Sequence, residues 1–170
     1  MKLRRLQSTD VGIFKSDMQE AFQFGAMEGS YDMEKDEEIL PESHIDASLQ
    51  AKGSAAYVAV DEENHIVGGA IVVIDDYTQH NHLDFLYVKH GVQSKGVGRF
   101  IWSELEKLYP DTKVWHTCTP YFEVRNIHFY INICGFHIVE FLNAKHQNPE
   151  MPEEFNGLDD GMFVFEKKIH

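Results

Sequence analysis

Residues 93–98 read Gln93-Ser94-Lys95-Gly96-Val97-Gly98, between an apolar run, Leu83-Asp84-Phe85-Leu86-Tyr87-Val88, and a segment whose apolar residues recur at helical spacing from Val97 onward. A strand therefore hands over to a helix through two glycines. Glycine admits backbone conformations that other residues resist and lets bare N–H groups approach a ligand, while the start of a helix adds the positive end of its dipole. The expectation is an anion cradle. Its surroundings agree: no acidic residue occurs between Phe85 and Ser103, and Lys89, Lys95 and Arg99 form a positive island in a chain of net charge -13. The turn has neither the Gly-Lys-Ser/Thr ending of a P-loop nor the G-x-G-x-x-G order of a Rossmann turn, so nucleoside triphosphates and NAD fit it poorly.

Working outward, residues 55–60 and 65–74 are apolar and β-branched and flank the polar Asp61-Glu62-Glu63-Asn64, which predicts a hairpin. A third strand over 82–88 follows a polar turn at 75–81 and completes an antiparallel meander. Beyond the glycines, Val97, Phe100, Ile101, Leu105 and Leu108 stripe one face of a helix that must end before Pro110. The next strand, 113–119, lies parallel to an earlier one because a helix separates them, and Pro120 is expected to stop it. A helix is then predicted from Val124 to Cys134, with Gly135 at its C-cap.

Toward the ends of the chain, Leu3 and Leu6 mark a first strand, and a helix follows through Val11, Phe14, Met18, Ala21 and Phe22. A short helix is possible near 42–50, and final strands are expected over 136–142 and 162–165. Between those two lies a long polar connection, 143–161, with Pro149 and Pro152, read as a flap or a partly disordered segment. The order βαβββαβαββ predicts α/β with a mixed sheet, and a chain of 170 residues is most simply one domain, 1–170.

With 15 Lys and Arg against 28 Asp and Glu, the chain is not expected to bind nucleic acid, whose affinity rests on neutralising phosphates. A cationic small molecule or a basic peptide is the better partner. The acidic run Glu28, Asp32, Glu34, Asp36, Glu37, Glu38, Glu42 and Asp46 reads as a solvated face or as the rim of a site for such a cation. The two cysteines, Cys118 and Cys134, fall inside predicted elements rather than in a disulfide framework, and no apolar stretch approaches membrane-spanning length. A soluble, cytoplasmic protein is expected. The spacing of His80, His82, His90 and His116 matches no metal box, so no metal is expected.

The run Leu86-Tyr87-Val88 followed by Gln93-Ser94-Lys95-Gly96-Val97-Gly98 resembles the acetyl-CoA signature of the GNAT N-acetyltransferase superfamily. Asn126, Phe129, Tyr130, Gly135 and Phe136 are similar to that family's second pattern, an Asn ahead of a Tyr and then Gly-Phe. The resemblance covers residues 83–140. It implies a single-domain GNAT-like fold: a mixed, mostly antiparallel sheet of six or seven strands, flanked by helices and splayed between the fourth and fifth.

It also implies that the backbone of residues 93–99, ending at Arg99, holds the CoA pyrophosphate, and that the edge at Leu86, Tyr87 and Val88 pairs with the pantetheine arm. Asn126 would hydrogen-bond that arm, with Phe129 beside it. Acetyl-CoA is then the cosubstrate, and the acetyl group passes to a primary amine by direct attack in a ternary complex.

Acyl transfer adds its own demands. A free alkylamine has a pKa of about 10.4 and must lose a proton to attack, and the departing thiolate, whose thiol has a pKa of about 8.5, gains from a proton donor. Tyr130, at the family's tyrosine position, suits the donor, with core packing as its plainer reading. For the base, His82 stands where some members carry a glutamate, and Asp84 is two residues on along the same strand. Either can relay a proton through water, or both are surface polar residues. A non-catalytic acyl-CoA-binding or sensor module is the alternative, and an interaction protein whose acidic segment meets a basic partner is a third reading. A homodimer is a reasonable expectation.

Overall fold

The computed structural model describes residues 1–29, 39–93, 95–148 and 161–169. Ser94, the centre of the acidic run and most of the 143–161 connection lie outside the described residues. The strands are β1 (Lys2–Arg5), β2 (Ser54–Val60), β3 (Ile66–Val73), β4 (His80–Val88), β5 (Val114–Pro120), β6 (His137–Leu142) and β7 (Met162–Lys168). Among the described residues the α-helices α1 (Val11–Gly29), α2 (Glu42–Gln50), α3 (Val97–Leu108) and α4 (Val124–His128) join them, a 3-10 turn at Ser8–Asp10 leads into α1, and α4 runs on as a π-helical turn, Phe129–Cys134.

One seven-stranded sheet has the order β1-β2-β3-β4-β5-β7-β6. Every neighbouring pair is antiparallel except β4 with β5, where α3 supplies the crossover that parallel strands require. The mixed, mostly antiparallel sheet flanked by helices is the architecture expected from the sequence.

Both faces of the sheet are covered, which explains why β3 reads as an uninterrupted apolar run. On one face Val97, Ile101, Trp102 and Leu105 of α3 pack with Tyr130, Cys134, Trp115 and Phe165. On the other, Phe14 and Met18 of α1 and Ile45 of α2 pack on Val58, Ile71, Phe85 and Tyr87. The Lys15 ammonium ties α1 to α2 through Glu42 at 2.7 Å and Asp46 at 2.9 Å. Those two carboxylates of the acidic run therefore have an internal partner.

The structure differs from the sequence reading in four places. Strand β4 begins at His80, inside the predicted turn, because Asn81 is fully buried and satisfied: its amide donates to Thr112 Oγ1 at 2.7 Å and its carbonyl accepts the Asp75 N–H at 2.9 Å. Pro120 belongs to β5 as its last residue, opposite Met162, where a missing N–H interrupts little of the ladder. β7 runs on to Lys168, past the predicted end at 165, paired with β5 throughout. The helix predicted over 124–134 is α-helical only to His128 and then widens into the π turn, which closes at Gly135 with φ of 86°.

Candidate active site

Strands β4 and β5 pair over three positions, His80 with Val114, Asn81 with Trp115 and His82 with His116. Beyond them, among the described residues, each strand keeps only its outer neighbour, β4 staying on β3 as far as Val88 and β5 on β7 as far as Pro120. The Thr117 hydroxyl donates to the Leu83 carbonyl at 2.8 Å and closes the point of divergence. The splay expected between the fourth and fifth strands is present.

On the β3 side, Ile71 pairs with Phe85 and Val72 with Leu83, so Asp84 is an extra residue, a β-bulge. Leu83 and Phe85 consequently face opposite cores although they are two residues apart.

The gap opens into a cleft of about 410 Å³. Its walls are Leu86, Tyr87 and Val88 from β4, Gln93, Gly96, Val97, Gly98 and Arg99 from the glycine turn, and Asn126 and Phe129 from the α4 segment, joined by Ala21, Phe22 and Gly25 of α1 and by Glu123, Arg125, His128 and Ile133. Ten of the twelve residues named from the sequence for the cosubstrate thus share one cavity. Lys95 is exposed and outside the lining, and Ser94 lies outside the described residues.

Gly96 has φ of 78°, a left-handed conformation that suits glycine, and it caps α3 without any side-chain hydrogen bond. The first intrahelical bond from this turn is Phe100 N–H to Gly96 C=O at 3.0 Å, so the amides of Val97, Gly98 and Arg99 precede the helical ladder at the cleft. A Cβ on Gly98 would lie 3.0 Å from the Phe129 ring. The glycine is what lets the helix start and the aromatic wall approach each other.

At the splay, His82 Nδ1 lies 2.7 Å from Asp84 Oδ1, and Asp84 Oδ2 accepts the Ser48 hydroxyl of α2 at 2.6 Å. Burial alone would lower the His82 pKa, but hydrogen bonding to Asp84 and the influence of nearby Cys118 outweigh it and raise the value to about 9. His82 is still 37% exposed, open enough to exchange protons with a bound molecule. The His116 ring stacks beside it at 6.5 Å and is pushed below its ordinary value by burial, against the pull of Glu166 at 3.6 Å. Among the described residues no group of three or more metal-ligating side chains converges.

Tyr130 sits under the gap rather than in the cleft wall. It is 4% exposed, with its ring among Phe129, Phe136 and Phe165 and its hydroxyl toward Thr117, and burial raises its pKa well above the phenol range. Cys134 is packed in the same core, its thiol pushed up to about 12 by burial.

Sequence reasoning missed Glu123. It caps α4 at the cleft wall, is 2% exposed, and its Oε1 has no hydrogen-bond partner among the described residues. Burial raises its pKa to about 7, opposed by Arg125 and assisted by Glu28. A lone acidic residue after Tyr121-Phe122 gives no periodic signal. Its position ahead of a helix was the one available hint.

A splayed parallel strand pair, a bulge at the point of parting and a cleft reaching a glycine-capped helix start make up the site. The sequence model of the Acetyltransferase (GNAT) family matches residues 16–136, and the chain belongs to that family.

The chain is 42% identical over 158 residues to "Uncharacterized protein YrkN" of Bacillus subtilis (strain 168), covering 93% of this chain and 83% of that one. Its fold is similar to the IAA acetyltransferase of Bacillus cereus ATCC 14579, with TM-score 0.69 and 17% identity over 99% of both chains. It is also similar to the PaiA N-acetyltransferase of Thermoplasma acidophilum in complex with coenzyme A, with TM-score 0.68 and 16% identity over 99% of this chain and 98% of that one.

Proposed function

We propose that this chain is a single-domain N-acetyltransferase that moves an acetyl group from acetyl-CoA to a primary amine of a small molecule or basic peptide, by direct attack in a ternary complex. The observation that carries this reading is the parting of β4 from β5 just beyond His82, which opens into the cleft that ends at the amides of residues 97–99. In this reading the amides receive the pyrophosphate, with the dipole of α3 and the Arg99 guanidinium adding positive potential. Leu86, Tyr87, Val88, Asn126 and Phe129 flank the arm, and the backbone of β4 beyond its pairing with β5 faces the thioester carbonyl, where negative charge develops.

His82, oriented by Asp84, takes the proton of the attacking amine. With a value of about 9 it lies within reach of an ammonium at about 10.4. Tyr130 returns a proton to the CoA thiolate. Asp84 and Glu166 border His82 and His116, which supports a cationic acceptor. No metal takes part in the proposed chemistry. Exposed Ile138, Val139 and Phe141 on the edge strand β6 support a homodimer, checked by sedimentation, and a cytoplasmic enzyme is part of the same proposal.

Titration calorimetry with CoA, followed by free-thiol release from acetyl-CoA across a panel of polyamines and basic peptides, tests the proposal. Binding with amine-dependent thiol release supports it. Failure to bind at high micromolar CoA ends it. Binding without thiol release favours the acyl-CoA sensor, a reading supported by the sealed position of Tyr130.

A further inference from the structure

Among the described residues Glu123 is the one buried carboxyl in the cleft wall, and nothing in the proposed transfer uses it. Its side chain packs against Gly25 of α1 so closely that a Cβ there would fall 2.9 Å from Oε2. Oε1 is buried with no hydrogen-bond partner among the described residues, a condition that is unfavourable for a neutral group and more so for a charged one. Arg125, whose charge acts on Glu123, is held by Glu28 of α1 in an ion pair that bridges α1 to α4.

Building on the acyl-CoA reading, we infer that Glu123 determines cosubstrate affinity: its neutral carboxyl donates a hydrogen bond to an amide carbonyl of the thioester arm, so acyl-CoA binds the protonated protein and is disfavoured by the ionised one. Three features of the site support this. First, an uncharged amide-bearing arm is the part of the cosubstrate that would run past α4, and a protonated carboxyl can donate where a carboxylate only accepts. Second, an ionised Glu123 would add negative charge to a cleft that must receive a pyrophosphate. Third, the neighbouring charges do not fix the carboxylate: Arg125 favours ionisation, Glu28 opposes it, and Tyr130 beneath is neutral and buried. Arg99 and His128, on the same cleft, complete the titratable set.

Burial holds Glu123 at about 7 in the free protein, so binding above that pH must take up a proton. Affinity for CoA should be level below about pH 7 and fall by up to tenfold per pH unit above it. Glu123→Gln keeps a donor of the same shape and removes the titration. It should bind CoA at low pH within a few fold of the wild type and lack this additional fall. The CoA phosphates titrate identically in both proteins, so the difference between the two profiles is the readout.

Calorimetry with CoA in buffers of different ionisation enthalpy gives a second measurement on the unaltered protein: uptake of close to one proton at about one unit above the Glu123 value. Proton uptake by the wild type that is lost in Glu123→Gln supports the inference. CoA binding without uptake, or parallel pH profiles for the two proteins, overturns it and leaves the acyltransferase reading intact. Absence of CoA binding at any pH overturns both.

Discussion

His82 and Asp84 stand two residues apart on β4, their Nδ1 and Oδ1 atoms 2.7 Å from each other, although the bulge at Asp84 reverses the facing of the residues around it. Without the bulge the strand would alternate regularly through Phe85. With it, Asp84 keeps to the His82 side and Phe85 turns to the same helix layer. The pair is buried enough to matter and open enough to act.

Its titration sets the first prediction. If His82 must be neutral to accept the amine proton, kcat/KM for the amine, measured with acetyl-CoA saturating at every pH, rises with pH and levels off above about 9. Asp84→Asn removes the partner that raises His82 and leaves the burial that lowers it, so the midpoint should drop by at least about one unit and the plateau should fall. An unmoved midpoint would assign the base elsewhere. Stability follows the same group: the raised value favours the fold fully below 6.5, and that contribution is lost as pH climbs through about 9. Tm should decline across that window, and less so in Asp84→Asn.

Glu123 acts on stability in a lower window. The unfolded carboxyl ionises near 4.5, whereas the folded one stays protonated to about 7, so stability falls between those values and is then constant. At about 1.4 kcal/mol per unit the loss is about 3 kcal/mol. Urea unfolding across this range should show the decline in the wild type and little of it in Glu123→Gln. Equal slopes for the two proteins would mean that the carboxyl ionises freely in the fold.

How much of this was legible follows from where each feature is decided. The glycine turn, the stripe of α3 and the unbroken run of β3 were legible because each is set by local chemistry: a left-handed residue at Gly96, helical spacing from Val97 to Leu105, and two covered sheet faces. The Asp84 bulge and the π turn at Phe129–Cys134 were not, because each adds one residue to a regular element to satisfy packing across the sheet. Asn81 looked like a turn residue because the partner that satisfies its amide, Thr112, lies 31 positions away. Glu123 and Ser48 were silent for the same reason: their importance comes from a cleft and a strand brought to them by the fold.

The approach of α3 to the aromatic wall gives a third prediction. In Gly98→Ala the new Cβ would meet Phe129 Cε2 at 3.0 Å and Cζ at 3.1 Å, so the ring must shift by a few tenths of an ångström along the cleft. Strain of about 1.4 kcal/mol would weaken CoA binding by about tenfold while the protein stays folded. Calorimetry reads the change, and an unaltered affinity would place the CoA arm away from Phe129.

The last prediction concerns Tyr130, whose ring is surrounded by Phe129, Phe136 and Phe165 at centroid distances of 5.7, 5.8 and 5.5 Å. A phenylalanine fills the same space, so Tyr130→Phe should cost only about 1 kcal/mol of stability, the worth of a hydrogen bond. A core tyrosine and a proton donor therefore separate cleanly in turnover. If the phenol delivers a proton to the departing thiolate, kcat falls by about a hundredfold or more while KM for acetyl-CoA changes little. Thr117→Val, which removes the group facing the phenol at the point where β4 and β5 part, should produce a smaller loss of the same kind. Tyr130→Phe turning over at the wild-type rate would make Tyr130 a packing residue, and the thiolate would then have to take its proton from solvent entering through the gap.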